Sequence, residues 1–140
     1  MSFAFPIRVY WEDTDAGGIV FYANYLKFFE RARTEWLRSL GIGQQRLREE
    51  AGGMFIVTSS EVQYLRPARL DDQLLVTAEL AEAGRARLTI AQRALPAPAH
   101  RADAPAAALC TGTIRIGWVD AGTLRPARIP SSILQAIQHP

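Results

Sequence analysis

Residues 24–40 have the sequence NYLKFFERARTEWLRSL, and this stretch decides which architectures the chain can adopt. Its apolar residues recur at intervals of three and four, the spacing that places side chains on one face of an α-helix. They are Tyr25, Phe28, Phe29, Ala32, Trp36, Leu37 and Leu40. The polar residues on the other side are Lys27, Glu30, Arg31, Arg33, Glu35 and Arg38. The pattern predicts one long helix with Asn24 as N-cap and Gly41 just past its end.

Strand-like segments surround this helix on both sides in the sequence. Alternation and β-branched residues predict strands at 7–11, 54–64, 73–81, 87–94 and 108–119, with short helices at 44–51 and 131–138. A Pro/Ala-rich stretch at 96–105 predicts a loop or hairpin tip. Because a helix with so wide an apolar face needs a sheet to cover it, we expect a single α+β domain over residues 1–140, with a five-stranded antiparallel sheet around one central helix.

The composition is that of an ordinary globular domain. The chain has 140 residues, of which 49% are hydrophobic and 21% charged, and no apolar run is long enough to span a membrane. Residues 1–6 lack the features of a secretory signal, so we expect a cytoplasmic protein. The net charge is only +2, and the arginines are spread without a run, so a nucleic-acid groove is not indicated. A few of them could meet the phosphates of a small ligand, while most are expected on the solvated surface.

Several kinds of active site are excluded by residue counts. The single cysteine, Cys110, can form no internal disulfide and is expected in the core, sharing one face of its strand with Gly112, Ile114, Ile116 and Trp118. Neither a serine-nucleophile motif nor a phosphate-binding glycine loop occurs. The only histidines, His100 and His139, lie in the Pro/Ala-rich stretch and next to the C-terminus. We therefore expect no metal and no cofactor, and chemistry that uses carboxylates, hydroxyls and the backbone.

The densest concentration of unusual residues is EDTDAGGIVFYANY at positions 12–25. Acids and glycines there lead into the predicted helix, whose first backbone N–H groups are unpaired and carry partial positive charge. An oxyanion that develops on a carbonyl could be stabilised at such a terminus, and an upstream carboxylate could attack that carbonyl or activate water. The alternative is a turn in which Asp13 and Asp15 only cap backbone amides. The residues alone leave both interpretations open.

The same segment resembles the signature of a known family. DTDAGGIVFYANY at 13–25, FERARTE at 29–35, YLRPARLDD at 64–72, Asp120 and the prolines at 126 and 130 together resemble the hot-dog-fold acyl-coenzyme A thioesterases. The likeness is to the para-hydroxybenzoyl-coenzyme A thioesterase type and the Tol-Pal-associated type. It implies a sheet wrapped around one helix, dimers with a continuous ten-stranded sheet, often tetramers, and active sites at the dimer interface. A homo-oligomer also fits the open edges of a single five-stranded sheet.

The resemblance also implies roles for individual residues. Asp15 matches the catalytic carboxylate, as nucleophile or general base, and Tyr22 matches the residue whose backbone amide polarises the thioester carbonyl. No role falls on Asp13, so we expect its replacement by asparagine to be much milder than that of Asp15. Relatives of the Tol-Pal type often carry a histidine where this chain has Tyr22, so side-chain help from that histidine is absent.

Substrate contacts are implied at two further places. Gly18, Val20, Tyr25 and Phe29 would contact the acyl group, and Arg85 and Arg87 would hold the phosphates of coenzyme A. Leu88 stands where related enzymes have a further basic residue, and the alternative for the two arginines is a charged hairpin tip.

The predicted function is hydrolysis of an acyl- or aroyl-coenzyme A to the free acid and coenzyme A. One alternative is a non-catalytic hot-dog module that binds an acyl thioester or a protein. Another is a hydroxyacyl-thioester dehydratase, but the enzymes of that type use a histidine, and the sequence has none near the helix.

Overall fold

The computed structural model describes residues 3–97 and 107–140, which form five β-strands and three α-helices. The strands are β1 (Phe3–Arg8), β2 (Gly53–Tyr64), β3 (Gln73–Ala83), β4 (Arg87–Pro96) and β5 (Cys110–Asp120). The helices are α1 (Asn24–Ser39), α2 (Gln44–Arg46) and α3 (Ser131–Gln138). The predicted loop at 96–105 lies, apart from its first two residues, outside the described residues, as does His100.

All five strands join one antiparallel sheet in the order β1-β3-β4-β5-β2. The edges are therefore β1 and β2, which are far apart in the sheet. Pro6 lies in β1, where a missing N–H is tolerated because an edge strand needs only one partner. The edge strand β2 has a bulge between Val57 and Ser59, and the side chains of Ile56 and Val57 are exposed.

Helix α1 packs across β1, β3 and β4 and supplies much of the core. Phe28, Phe29 and Ala32 are fully buried, and Gly41, at a φ of +82°, ends the helix as expected from its position. In β5 the predicted inward face is confirmed. Cys110, Gly112, Ile114, Ile116 and Trp118 are all buried. The predicted fold class, a five-stranded antiparallel sheet around one long helix, is thus confirmed.

Two predicted elements begin or end elsewhere. The first strand is Phe3–Arg8 and not 7–11, because Trp11–Asp13 forms a single 3₁₀ turn in which the Asp13 carboxylate accepts the N–H of Tyr10 at 2.8 Å. Trp11 is 83% exposed, so its apolar side chain does not mark an inward strand position. The helix predicted at 44–51 is α2 followed by one π-helical turn, Leu47–Ala51.

Arg33, which the periodicity predicts on the solvent side of α1, is instead buried at 9% exposure. Its Nη1 donates to Oε1 of Gln92 on β4 at 2.9 Å, and the amide of Gln92 donates in turn to the carbonyls of Phe29 and Thr77. Burial lowers the pKa of Arg33, while nearby Glu30 raises it. The prediction was wrong because a helical wheel cannot show that the sheet offers this side chain a buried acceptor.

Gly112 on β5 provides a test of how tightly α1 packs against the sheet. A Cβ at this position would lie 2.7 Å from the ring of the fully buried Phe29. We expect Gly112→Ala to lower the free energy of unfolding by about 1–3 kcal/mol, the usual cost of overpacking a core. Urea unfolding would measure the loss. Gly43→Ala is the matched control, since a Cβ there meets no heavy atom within 4 Å, and an equal loss in both variants would contradict this tight packing.

Candidate active site

The segment between β1 and α1 folds into a narrow hairpin-like turn. Phe21 N–H donates to the carbonyl of Asp13 at 2.9 Å, and Asp15 N–H donates to the carbonyl of Ile19 at 2.9 Å. At the tip Gly18 N–H returns to the carbonyl of Asp15 at 3.0 Å, and Gly18 adopts a φ of +76°. Because that conformation is costly for residues with a Cβ, the glycine is required by the turn itself. The predicted glycine turn is therefore present.

The two aspartates of the turn have different surroundings. Asp13 is buried, and its carboxylate accepts hydrogen bonds from the backbone N–H of Tyr10 at 2.8 Å and from Nδ2 of Asn24 at 2.7 Å. Asp15 is exposed, and one of its oxygens accepts the N–H of Gly17 at 2.8 Å. The other oxygen of Asp15 accepts no hydrogen bond from the described residues. Both aspartates cap amides, yet only Asp15 keeps an oxygen open to a substrate.

The start of α1 differs from the predicted capping. Ala23 is the N-cap residue, and Asn24 is the first residue of the helix, with its side chain donating to Asp13 and not accepting a backbone N–H. Asn24 as N-cap was therefore wrong. Tyr22 lies in the turn directly before the helix, and its backbone N–H donates no hydrogen bond within residues 3–97 and 107–140. An unpaired N–H at this end of a helix can donate to a developing oxyanion.

The four predicted acyl contacts differ in their exposure. Val20, Tyr25 and Phe29 are buried in the protomer, whereas Gly18 is exposed at the tip. The hydroxyl of Tyr25 accepts the N–H of Ala68 at 3.3 Å, and burial raises the pKa of this tyrosine more than that hydrogen bond lowers it. The Tyr25 ring also lies 5.8 Å from that of Tyr64, and contact of these residues with a substrate stays a prediction.

The site has an exposed aromatic wall in which two residues, Phe21 and Tyr64, were given no role from the sequence. Phe21, Tyr22 and Tyr64 form an aromatic patch, with ring centroids 4.8 Å apart for Phe21 and Tyr22 and 6.0 Å apart for Tyr22 and Tyr64. All three are exposed, Tyr22 to 62%. Tyr64 is the last residue of β2, so only the folded sheet brings it beside the turn. A tyrosine at the end of a predicted strand was the one available signal.

The single cysteine, Cys110, pairs with Tyr64 across β2 and β5 and is buried. Burial raises the pKa of the Cys110 thiol to about 12, which keeps it protonated near neutral pH. Among the described residues, no three His, Cys, Asp or Glu side chains converge as a metal site would require. Nor does any helix there have the length and apolar character needed to cross a membrane.

The two predicted phosphate-binding arginines do not share one strand. Arg87 begins β4, but Arg85 precedes it in the turn after β3, so strand alternation does not place the two side chains on one side. Arg87 lines a concavity of about 270 Å³ together with Arg115 of β5, which the sequence analysis did not single out. Arg115 Nη1 also donates to Glu61 at 2.9 Å. Arg87 and Arg115 thus face the same concavity.

Comparisons with known proteins agree with this architecture. The chain is 41% identical over 138 residues to the acyl-CoA thioesterase YbgC of Haemophilus influenzae, covering 99% of this chain and 96% of that one. It is 39% identical over 132 residues to the acyl-CoA thioester hydrolase YbgC of Escherichia coli, covering 94% and 92%. The crystal structure of a probable thioesterase from Bartonella henselae has a TM-score of 0.81 at 30% identity, covering 93% of this chain and all of that chain. The family model described as the Thioesterase-like superfamily matches residues 9–137, and the chain belongs to that superfamily.

Proposed function

We propose that this protein hydrolyses acyl- or aroyl-coenzyme A thioesters to the free acid and coenzyme A. The observation that carries the proposal is the open carboxylate of Asp15 in the same short turn as the unpaired N–H of Tyr22. The names of the Haemophilus and Escherichia relatives support the same substrate class.

The reaction needs two groups from the turn. The thioester carbonyl oxygen accepts the N–H of Tyr22, and the partial positive charge at the start of α1 favours the oxyanion as it develops. Asp15 then acts in one of two ways. Its open oxygen attacks the carbonyl carbon, expelling the thiolate and forming an anhydride that water cleaves, or it takes a proton from a water that attacks directly. Both routes give the same products, a carboxylic acid and a thiol.

The acyl group would lie against the aromatic patch of Phe21, Tyr22 and Tyr64. Exposed aromatic side chains offer large apolar area at low entropic cost, which suits an acyl or aroyl group. The ring of Tyr25 lies 5.8 Å from that of Tyr64, so Tyr25 would support the patch from the buried side. Gly18 would leave room at the tip for the thioester to approach the backbone.

We further propose that two copies pair through β2, so that their sheets join into one of ten strands. An exposed edge strand is a template for pairing, and exposed Ile56 and Val57 lie on it. Because Tyr64 ends the same strand, this pairing would bring the partner's edge beside the aromatic patch. The active site would then be completed at the interface.

For the phosphates of coenzyme A we propose Arg87 and Arg115, with Arg85 as a further contact from the neighbouring turn. Two guanidinium groups that face one concavity can each donate charge-assisted hydrogen bonds to a phosphate. Arg85 does not line that concavity, and its carbonyl accepts the N–H of Ile129, which anchors the turn.

The first prediction from the proposed function concerns Asp15. We expect Asp15→Asn to lower kcat for an acyl-coenzyme A at least ~10²-fold, or roughly 3 kcal/mol of transition-state stabilisation, with KM largely kept. Asparagine preserves the shape and the hydrogen bond to Gly17 but cannot serve as nucleophile or base. Release of free thiol from a panel of short, medium, long and aromatic acyl thioesters measures the rate.

Asp120→Asn is the matched control. Asp120 is also exposed, and like Asp15 it caps backbone amides of a turn, in its case those of Gly122 and Thr123. It should therefore keep normal turnover. Near-normal turnover by a folded Asp15→Asn variant would remove Asp15 from the mechanism, and a wild-type protein that binds the thioesters without cleaving any would favour a non-catalytic binding module.

The second prediction concerns the β2 edge. Sedimentation at micromolar concentration should show a dimer or a tetramer, and Val57→Lys should shift the protein toward monomer and lower its activity, since a lysine on an edge strand opposes strand pairing. Leu124→Lys is a similar change at an exposed residue outside the strands, and it should leave both the oligomeric state and the activity unchanged. A stable, fully active monomer would contradict the proposed interface.

The third prediction concerns the nucleotide end of the substrate. We expect the Arg87→Ala, Arg115→Ala double variant to raise KM for an acyl-coenzyme A several-fold to tens-fold, since each exposed contact contributes on the order of 1 kcal/mol. Hydrolysis of the matching acyl-pantetheine thioester, which lacks the nucleotide, should stay nearly unchanged, and Arg85→Ala should have the smaller effect. Arg93→Ala, which removes another arginine from the strand of Arg87, is the control. Equal losses with both substrates would mean that the phosphates bind elsewhere.

A further inference from the structure

Asp13 is the only carboxylate among the described residues that is buried, at 5% exposure. Both of its oxygens are used, one by the backbone N–H of Tyr10 and the other by the side-chain amide of Asn24, which is itself buried. Among the described residues, no arginine or lysine forms an ion pair with it. Burying an anion that has no cationic partner is costly, so its two hydrogen-bond donors are what make the position tolerable.

The contacts of Asp13 close the catalytic turn at both ends. Its main-chain carbonyl accepts the N–H of Phe21, and its side chain holds Asn24, the first residue of α1. Asn24 N–H in turn donates to the carbonyl of Phe21 at 2.8 Å. Asp15 and Tyr22 both lie inside the loop that these bonds close. Their relative position therefore depends on a buried hydrogen bond between two residues that do not face the substrate.

We propose that Asp13 and Asn24 are a positioning pair that fixes the Asp15 carboxylate against the N–H of Tyr22. The inference rests on the proposed hydrolysis, in which those two groups act on one carbonyl. Small displacements of reacting groups cost large factors in rate. The pair acts through the turn and touches no substrate atom, so its loss should lower kcat and leave KM nearly unchanged.

The chemistry of the pair explains why Asp13→Asn alone is a poor test. An amide at position 13 can still accept the N–H of Tyr10, and Asn24 can rotate its amide to offer oxygen in place of nitrogen. The mildness that the sequence analysis expected could therefore arise without Asp13 being dispensable. Asn24→Asp is sharper, because it places two carboxylates where a 2.7 Å hydrogen bond now stands.

The pH dependence of Asn24→Asp follows from this contact. Two carboxylates at hydrogen-bond distance share a proton, which raises the pKa of one of them above its ordinary value. At a pH below that raised pKa, the shared proton holds the turn in place. As the pH rises through the pKa, the proton is lost and the turn is released. Other charged or titratable groups also face the groove at Asp13, namely Arg8, Tyr10, Glu12 and Arg31. They are the same in all variants, so a difference in pH profile between variants reports on positions 13 and 24.

The experiment compares the wild type, Asn24→Asp, Asn24→Ala and the reversed pair Asp13→Asn/Asn24→Asp, by thiol release from an acyl-coenzyme A across about pH 5 to 9. We expect Asn24→Asp to lose roughly 10- to 100-fold in kcat at the alkaline end and to recover toward the acidic end relative to wild type, with KM within a few-fold. The reversed pair should regain kcat to within a few-fold and the wild-type pH profile, because the amide now at position 13 donates to the carboxylate at position 24.

Asn24→Ala keeps the test decisive if Asn24→Asp does not fold. It removes the donor without adding charge, and we expect a loss of about tenfold in kcat. Wild-type kcat in a folded Asn24→Ala variant would overturn the proposal. A folded reversed pair that recovers neither kcat nor the pH profile would overturn it as well.

Backbone amide resonances separate this inference from the proposed function. In Asn24→Asp at alkaline pH the amide signals of Gly17 and Tyr22 should shift, and in the reversed pair they should return toward wild-type values. If the wild type cleaves no thioester, the proposed hydrolysis fails, and unchanged signals at Gly17 and Tyr22 would independently overturn the positioning role. Circular dichroism confirms that each variant compared is folded.

Discussion

The burial of α1 against the sheet is the constraint on which the rest of the structure depends. Phe28, Phe29 and Ala32 are fully buried, and Gly112 leaves the space that the Phe29 ring occupies. The first N–H groups and the last C=O groups of this helix have no partner within it. The end preceded by the glycine turn carries the acids and aromatic residues, which is why the candidate site lies at the N-terminus of the helix.

The same constraint leaves the sheet with two free edges. Strands β1 and β2 each have one partner, and the apolar exposed residues Ile56 and Val57 lie on β2. Pro6 in β1 lacks the N–H that strand pairing uses, whereas β2 has no proline. The two edges therefore differ in their ability to pair. The edge suited to pairing is the one that ends at Tyr64, beside the candidate site, so assembly and chemistry would be coupled through a single strand.

What the sequence could predict follows from the range of the interactions concerned. The period of α1, the alternation in β5 and the glycine turn are local patterns, and each was predicted within a few residues. The first strand was misplaced because a side-chain hydrogen bond from Asp13 turns the chain at Tyr10. Arg33 was misplaced for a related reason, since its acceptor, Gln92, is far away in the sequence.

The residues of the candidate site also divide into those in a local motif and those brought together from distant parts of the sequence. Asp15 and Tyr22 lie in one continuous motif, so the motif could single them out for the roles proposed. Tyr64 and Arg115 come from distant strands and acquire a place in a site only when β5 pairs with β2 and β4. Tyr64 begins the stretch at 64–72 that resembles the family, but neither its position there nor any local pattern around Arg115 assigns the side chain to a site.

Asp13 and Asp15 show why residue type alone does not assign a role in this turn. They have the same functional group and are separated by one residue, and each accepts a nearby backbone amide. The difference is that Asp13 lies at the base of the hairpin-like turn, where Asn24 of α1 donates to its second oxygen, while Asp15 lies near the tip, where it is exposed to solvent. A carboxylate whose two oxygens are both satisfied can hold a loop but cannot attack a carbonyl. In the proposed mechanism the buried aspartate therefore supplies rigidity, and the exposed one is left free for the chemistry.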